Sequence, residues 1–208
     1  QPDIVIVMNE SFSDLEAIEG TEFSESLLSN YRRLAQESVY GSVLQDKRGG
    51  GTYDYEFSAL SGFSTAWFPA GSVPYIEYVY EGFPCLPQYY RDNGYSTIAI
   101  HPYQRNFYNR EKIYPQMGFE ELVFEEGFSS GDTVGRYIGA LPLADKMIGE
   151  YERLAEQGPV FMHAVSMQSH GPYEDELYSE NKLVQATFQG QQIYGLNARA
   201  TGIRDADA

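Results

Sequence analysis

Two short polar motifs in this chain combine side chains that can hold a divalent cation. The stretch 9–12, Asn-Glu-Ser-Phe, directly follows the mostly β-branched run 4–8. The stretch 49–52 is Gly-Gly-Gly-Thr, and its glycines let the backbone approach a charged group and leave the threonine hydroxyl uncovered. Carboxylate and hydroxyl oxygens are hard ligands, so Glu10 and Thr52 are a candidate pair for sharing one cation.

Further polar residues follow two other predicted strands. His101 comes after a strand predicted over 95–100, and His170 follows one predicted over 160–165. Arg110 belongs to a residue type that clamps phosphate oxygens. Each has an ordinary explanation alone, as a structural histidine or a surface arginine. Because chemistry in open α/β sheets gathers beyond the carboxyl ends of strands, their coincidence favours a functional site.

The elements that position these residues are predicted from apolar spacing and from glycine and proline. Strands are predicted over 4–8, 39–44, 95–100 and 160–165, the first buried with helices on both faces. The first predicted helix has Ser24 as its N-cap and an apolar face from Leu27 to Ala35. The second covers 52–60 and is ended by Gly62, and a short one ends at Asn93. Three more are predicted over 109–117, from Pro142 onwards, and over 194–208. Residues 63–84 read as a long surface loop. The alternation predicts the α/β class, a three-layer α/β/α sandwich with a mostly parallel central sheet.

Composition narrows the functional classes. The 208 residues include 14 Lys and Arg against 30 Asp and Glu, for a formal net charge of -16. Such acidity argues against nucleic acid as a partner, although a metal and arginines can reverse the field around an anionic substrate. No apolar stretch reaches the roughly 18 residues that a membrane span needs. The 18 tyrosines are typical of an amphipathic binding rim or of partly buried core aromatics.

Taken in order, the motifs resemble the lipoteichoic acid synthase and phosphoglycerol transferase family of the alkaline phosphatase and sulfatase superfamily. The matching stretches are Met-Asn-Glu-Ser-Phe-Ser-Asp-Leu (8–15), Gly-Gly-Gly-Thr (49–52), Glu-Phe-Ser-Ala-Leu-Ser-Gly-Phe (56–63), His-Pro-Tyr (101–103), Tyr-Asn-Arg (108–110) and Ala-Val-Ser-Met-Gln-Ser-His-Gly-Pro-Tyr (164–173). Each stretch is unspecific alone, but the ordered set spans nearly the whole chain. The resemblance implies one sulfatase-like catalytic domain, of which residues 1–208 form the N-terminal portion.

The resemblance also implies roles for individual residues. Glu10 matches a metal-binding glutamate, and Thr52 matches the nucleophile, which also touches the metal. The substrate-binding residues that it implies are His101, Tyr108, Arg110 and His170. Tyr108 stands where the family usually has tryptophan, so an aromatic wall is kept and the indole donor is replaced by a phenol. The ligand types suit Mn²⁺ best, with Mg²⁺ or Zn²⁺ as alternatives.

One departure from the family pattern concerns the metal site. The family completes this site with an Asp-His pair on a later strand, and no such pair occurs in these residues. Residues 194–208 resemble the segment that precedes that strand. We therefore expect half a metal site, weak metal binding by this chain alone, and an uncovered sheet edge.

The implied activity is transfer of glycerophosphate from a phosphatidylglycerol-like lipid to the hydroxyl of a polyol or glycan. The implied location is the extracellular face of the bacterial cytoplasmic membrane, with membrane segments outside this chain. Two alternatives stay open: a phosphate-ester or sulfate-ester hydrolase of the same superfamily, and a non-catalytic domain that binds a headgroup or glycan. The stretch 85–89, Cys-Leu-Pro-Gln-Tyr, begins like the sulfatase motif Cys-x-Pro-x-Arg but lacks its arginine.

Overall fold

The computed structural model describes residues 1–43, 51–179 and 182–208. Its strands are β1 Ile4–Met8, β2 Thr21–Phe23, β3 Ser96–Ile100, β4 Glu121–Val123, β5 Thr133–Val134, β6 Tyr137–Ile138, β7 Val160–Val165 and β8 Ala186–Phe188. Its α-helices are α1 Ser29–Glu37, α2 Thr52–Ser61, α3 Pro74–Glu77, α4 Leu86–Asp92, α5 Arg110–Gln116, α6 Ala140–Ala155 and α7 Leu196–Asp207. Short 3-10 helices lie at Leu15–Ala17, Thr65–Trp67, Phe107–Asn109, Glu125–Gly127, Ser130–Asp132 and Asp175–Leu177.

These elements form two compact units. The first unit comprises Gln1–Met8, Val43–Gly127 and Asp145–Val165, and the second comprises Asn9–Ser42, Phe128–Ala144 and Ser166–Ala208. None of the helices in the described part of the chain is both long and apolar enough to cross a bilayer.

The first unit is built on a parallel sheet of four strands in the order β1-β7-β3-β4. Every residue of the interior strand β7 is buried, as its nearly continuous apolar sequence predicts. Its core is rich in aromatic rings and includes Phe57, Tyr75, Tyr114, Phe119, Phe124 and Phe161. The predicted α/β class with a parallel central sheet is confirmed.

The second unit contains two antiparallel strand pairs, β2 with β8 and β5 with β6. Its core is aliphatic and consists of Leu15, Leu27, Leu28, Val184, Ala186, Ala200 and Ile203. Ser24 lies beside this ladder rather than at a helix cap. Its backbone N–H donates to the backbone carbonyl of Gln185, and its hydroxyl accepts from the backbone N–H of Gln185. The predicted N-cap at Ser24 is therefore wrong: α1 begins at Ser29, after the buried Leu27 and Leu28.

Two strand predictions need correction. In β1, Ile4 and Ile6 pack against the core, whereas Val5 and Val7 are each 48% exposed, so the strand is not covered on both faces. Its β-branched residues reflect a fit to the pleated sheet rather than complete burial. The strand predicted over 39–44 is absent over residues 39–43, where the apolar side chains are exposed, and Leu44 lies outside the described residues.

The helix signals at Gly62 and Pro142 agree more closely with the structure. Gly62, with φ at 75°, ends α2 as predicted, and its N–H donates to the Ser58 carbonyl. The helix predicted from Pro142 begins slightly earlier, at Ala140. Pro142 then falls in the first turn, where backbone N–H groups lack intrahelical acceptors and proline is tolerated.

Candidate functional site

Thr52 is the first residue of α2. The residue before it, Gly51, caps the helix in the left-handed conformation with φ at 78°. A side chain at position 51 would be strained by this backbone and would meet the Asp54 carboxylate at 3.3 Å from Cβ. The glycine before Thr52 therefore has a steric reason, while Gly49 and Gly50 lie outside the described residues. The N-terminus of a helix favours bound anions, which suits the hydroxyl for phosphate chemistry.

Glu56 lies one turn after Thr52 on the same helix and is fully buried. Its carboxylate pairs with Arg110, whose side chain is only 1% exposed. Arg110 Nε donates to Oε1 at 3.1 Å, and Nη2 donates to the same oxygen. Tyr114 donates its hydroxyl proton to Oε2 at 2.8 Å, and the Tyr75 hydroxyl lies at 3.5 Å. The interpretation of Arg110 as a surface arginine is excluded.

The electrostatics of this cluster favour a charged pair. Burial raises the pKa of the Glu56 carboxyl, but the Arg110 guanidinium outweighs burial and leaves that pKa below its usual value. Burial likewise lowers the pKa of Arg110, and Glu56 more than reverses the effect. Burial and the nearby Glu56 charge raise the pKa values of Tyr75 and Tyr114. Glu56 and Arg110 are therefore ionised at neutral pH, whereas the two phenols keep their protons.

Two histidines lie close to this pair and are held neutral. His101 directly follows β3, and its backbone N–H donates to the Val123 carbonyl at 2.8 Å. Burial, and then the Arg110 charge, lower the pKa of His101 to about 3. His163 lies within β7 with its Nε2 4.0 Å from Glu56 Oε2, and burial lowers its pKa too. Both rings are therefore uncharged at neutral pH, and their ring nitrogens are buried with no hydrogen-bond partner in the described part of the chain.

Tyr108 supplies an aromatic wall beside Arg110. The Arg110 Cζ atom lies 5.3 Å from the Tyr108 ring centre and 5.9 Å from that of Phe107. The Tyr108 ring also meets the ring of Tyr53, the neighbour of Thr52 in α2, with centres 4.5 Å apart. Tyr108 and Asn109 both have left-handed backbones, with φ at 53° and 60°, which sharply redirects the chain before α5.

The second unit holds Glu10 and His170. Glu10 follows β1, its N–H donates to the Ser166 hydroxyl at 3.0 Å, and its carboxylate accepts from Ser11 at 3.1 Å. His170 Nδ1 lies 2.6 Å from the Gly171 carbonyl. Because a carbonyl only accepts, Nδ1 is the donor of this hydrogen bond, and Nε2 is the ring nitrogen that takes no part in it.

A small cleft surrounds His170 in this unit. The Tyr137 hydroxyl donates to the Gly171 carbonyl at 2.8 Å and lies 3.5 Å from His170 Nδ1. An ion pair between Arg136 and Glu174 forms part of the lining. The lining thus combines phenols and charged groups with the apolar side chains of Pro172, Leu177 and Ala198.

Glu10 and Thr52 fit a hard cation by donor type. Each supplies an oxygen donor, and such a cation prefers about six. Across 1–43, 51–179 and 182–208, no group of three or more His, Cys, Asp or Glu side chains is arranged to hold a metal ion.

Cys85 has no features of a reactive nucleophile. The thiol is buried and lies 3.1 Å from the Met117 carbonyl, to which it donates. Burial raises its pKa to about 11, so the thiolate is scarce at neutral pH. Its likeness to the start of the sulfatase motif therefore reflects a buried helix cap.

Sequence reasoning did not identify Glu56 or His163 as site residues. Glu56 was noted only as part of the 56–63 motif, and His163 was treated as part of the apolar strand predicted over 160–165. The available signal for His163 was an imidazole inside an otherwise apolar interior strand. For Glu56 it was the spacing of one helical turn from Thr52.

Residues 2–208 match the family described as Sulfatase. The whole chain is 32% identical over 208 residues to a putative cyclic beta-1,2-glucan modification protein of Rhizobium meliloti (strain 1021) and covers 32% of it. Over 176 residues, 83% of the chain, it is 31% identical to the capsular polysaccharide biosynthesis protein RkpI of the same organism, covering 32% of that protein. The chain thus spans about a third of the length of these relatives.

Solved structures share the fold. The lipoteichoic acid synthase LtaP from Listeria monocytogenes matches with a TM-score of 0.80 at 21% identity, over 99% of this chain and 49% of that one. The Streptococcus pyogenes phosphoglycerol transferase GacH, in complex with sn-glycerol-1-phosphate, matches with a TM-score of 0.84 at 23% identity, over 99% and 55%. As the ordered motifs predicted, the chain belongs to the family described as Sulfatase.

Proposed function

We propose that the protein to which this chain belongs is a metal-dependent phosphoglycerol transferase. The observation that carries the proposal is the position of Thr52 at the N-terminus of α2, one turn before the carboxylate that holds Arg110. That arrangement supplies a nucleophilic hydroxyl, a helix end that favours anions, and a guanidinium suited to phosphate. The likeness to GacH, which was solved with sn-glycerol-1-phosphate, points to glycerophosphate as the transferred group.

The proposed reaction consists of two displacements at phosphorus. Thr52 Oγ1 attacks the phosphorus of a phosphatidylglycerol-like lipid, and the bond to the diacylglycerol oxygen breaks. Diacylglycerol leaves with the proton that balances the loss from Thr52, and a glycerophosphoryl-threonine remains. An acceptor hydroxyl then attacks the same phosphorus, and its proton restores the Thr52 hydroxyl.

The proposed headgroup contacts differ in charge. Arg110 is the cation that stabilises the transferring phosphoryl oxygens, with Tyr108 as the aromatic wall. His101 is neutral, so we assign it a hydrogen bond to the headgroup rather than an ion pair. His170 Nε2 is suited to accept a hydrogen bond from a glycerol hydroxyl.

We further propose that Glu10 and Thr52 are two ligands of a divalent cation, with Mn²⁺ preferred over Mg²⁺ or Zn²⁺. When bound, such a cation supplies a Lewis acid for the phosphoryl oxygens and lowers the pKa of a hydroxyl that it contacts. A neighbour with the same fold, the periplasmic domain of EcEptC from Escherichia coli, was solved as a Zn complex.

The proposed acceptor is a glycan hydroxyl, because the matched Rhizobium proteins are described as acting in glucan modification and capsular polysaccharide biosynthesis. The proposed location is the extracellular face of the bacterial cytoplasmic membrane, where the lipid donor is available. Anchoring would rest on segments outside these residues.

The test uses the full-length protein, phosphatidylglycerol vesicles and a cyclic beta-1,2-glucan, and it follows diacylglycerol and glycan-bound glycerophosphate together. We expect Thr52→Ala to lower both products at least about a thousandfold. Thr133→Ala, at an exposed threonine of β5, is the matched control and should retain turnover. Full turnover by Thr52→Ala would exclude Thr52 as the nucleophile.

The two alternative functions give different product patterns. A hydrolase would release free glycerol phosphate at the same rate with and without the glycan. A binding domain would bind the headgroup in both Thr52→Ala and Thr133→Ala, and neither variant would form a product. Sulfatases with the Cys-x-Pro-x-Arg motif convert its cysteine to formylglycine. Cys85 does not support such a sulfate-ester hydrolase, because it is buried and poorly ionised.

A further inference from the structure

Glu56 is a buried carboxylate that the proposed chemistry does not itself use. It belongs to α2, the helix that begins at Thr52, and it holds Arg110, the residue that begins α5. The pair therefore ties the helix of the nucleophile to the guanidinium assigned to the phosphate.

The cluster around Glu56 fixes the guanidinium in one orientation. Its Nε and Nη2 atoms face the carboxylate, and Nη1 donates to the Phe107 carbonyl at 3.3 Å. Tyr114 occupies the second carboxylate oxygen, so Glu56 is held in turn. Buried ion pairs contribute little net stability compared with apolar residues of similar volume. Orientation is a better reason for keeping two charges here.

We propose that Glu56 is the positioning residue that aims the outer edge of Arg110, formed by Nη1 and Nη2, at a phosphate oxygen of the headgroup. This inference rests on the proposed function, since it assigns Arg110 to the phosphate. Glu56 acts only through Arg110 and touches no substrate.

A purely electrostatic role would have the opposite effect. If Glu56 served only to neutralise Arg110, its removal would leave an uncompensated positive charge, and an anion would bind more tightly. If Glu56 positions the guanidinium, its removal weakens binding, because a fork that points elsewhere cannot form its paired hydrogen bonds.

The experiment measures binding of sn-glycerol 1-phosphate, and separately of inorganic phosphate, to the full-length protein by calorimetry. The variants are Glu56→Gln, Glu56→Asp, Arg110→Met and the double variant Glu56→Gln/Arg110→Met. We expect each single variant to weaken both ligands roughly 10-fold to 100-fold, the worth of a hydrogen bond to a charged group. The double variant should bind as Arg110→Met does.

Glu56→Asp is the decisive single substitution, because it keeps the charge and withdraws the carboxylate by one methylene. Unchanged binding by Glu56→Asp, tighter binding by Glu56→Gln, or a double variant that differs from Arg110→Met would each overturn the proposal. If Glu56→Gln does not fold, Glu56→Asp decides, since it keeps both charges of the buried pair.

Two controls separate this proposal from the proposed function. Glu121→Gln removes the same charge from an exposed ion pair with Arg153 and should leave binding unchanged. Thr52→Ala should lose turnover in the transfer assay. Turnover by Thr52→Ala would contradict the transferase mechanism. Any of the contradicting binding results for the Glu56 and Arg110 variants would exclude the positioning role alone.

Discussion

The residues assigned to the substrate come from two regions that are built in different ways. In the first unit, Arg110 and His101 are buried and belong to a cluster centred on the Glu56 carboxylate. In the second unit, His170 is partly exposed and is held by a backbone carbonyl beside the Tyr137 hydroxyl. Substitutions in the first region should therefore cost stability as well as function, whereas those in the second should cost function with little loss of stability.

The largest effect on stability is expected for Glu56→Gln. It leaves the Arg110 charge buried without its partner, which typically costs about 3–5 kcal/mol in the free energy of unfolding. Urea denaturation of the chain measures this difference. The matched variant in the second unit, Glu174→Gln, breaks a partly exposed pair with Arg136 and should cost less than about 1 kcal/mol. Equal losses for the two variants would remove the contrast between the regions.

The next effect is a dependence of stability on pH that comes from the buried histidines. The pKa of His101 falls from 6.5 to about 3 in the folded chain, so between these values the unfolded chain binds a proton that the folded chain does not. Stability should therefore decrease as the pH falls through this window, by about 1.4 kcal/mol per pH unit for each such histidine.

His101→Gln should flatten this profile, because the glutamine binds no proton in either state. His163, whose pKa is also lowered, contributes with the same sign and keeps part of the slope. Urea denaturation at a series of pH values between these limits measures the slope. A slope that is unchanged in His101→Gln would contradict the neutral, buried state of this ring.

The smallest effect compares one hydroxyl group in each region. Tyr114→Phe removes a 2.8 Å hydrogen bond to the charged Glu56 and should cost about 1.5–3 kcal/mol. Tyr137→Phe removes a 2.8 Å hydrogen bond to a neutral carbonyl and should cost about 0.5–1.5 kcal/mol. Thermal unfolding measures the loss of stability in each variant. A larger loss for Tyr137→Phe than for Tyr114→Phe would contradict the importance of burial and charge in the first unit.

The sequence predicted those parts of the fold that local patterns control. β3, β7 and the limits of α2 follow from apolar runs and from Gly62, because these signals act within a few residues. The strand predicted over 39–44 failed over 39–43, because a strand also needs a partner, and pairing is not encoded in one segment. Ser24 failed as a helix cap because its partner, Gln185, is remote in sequence.

In the candidate site too, the sequence predicted the residues with a local signal and missed those that depend on distant partners. Thr52 and Glu10 were found because they follow a glycine run and an apolar run, and their assigned roles remain predictions. The pairing of Glu56 with Arg110 joins residues that are far apart in sequence, so spacing could not reveal it. His163 was concealed for a related reason: a buried histidine in an interior strand has no local signature beyond its residue type.

The most direct test of the proposed transfer is to trap the covalent intermediate. The full-length protein is mixed with phosphatidylglycerol and a divalent cation without an acceptor, quenched in acid, digested and mapped by mass spectrometry. We expect one glycerophosphoryl group on the peptide that contains Thr52, located on the threonine itself. Turnover with no adduct at Thr52, or with the adduct on another residue, would contradict the mechanism.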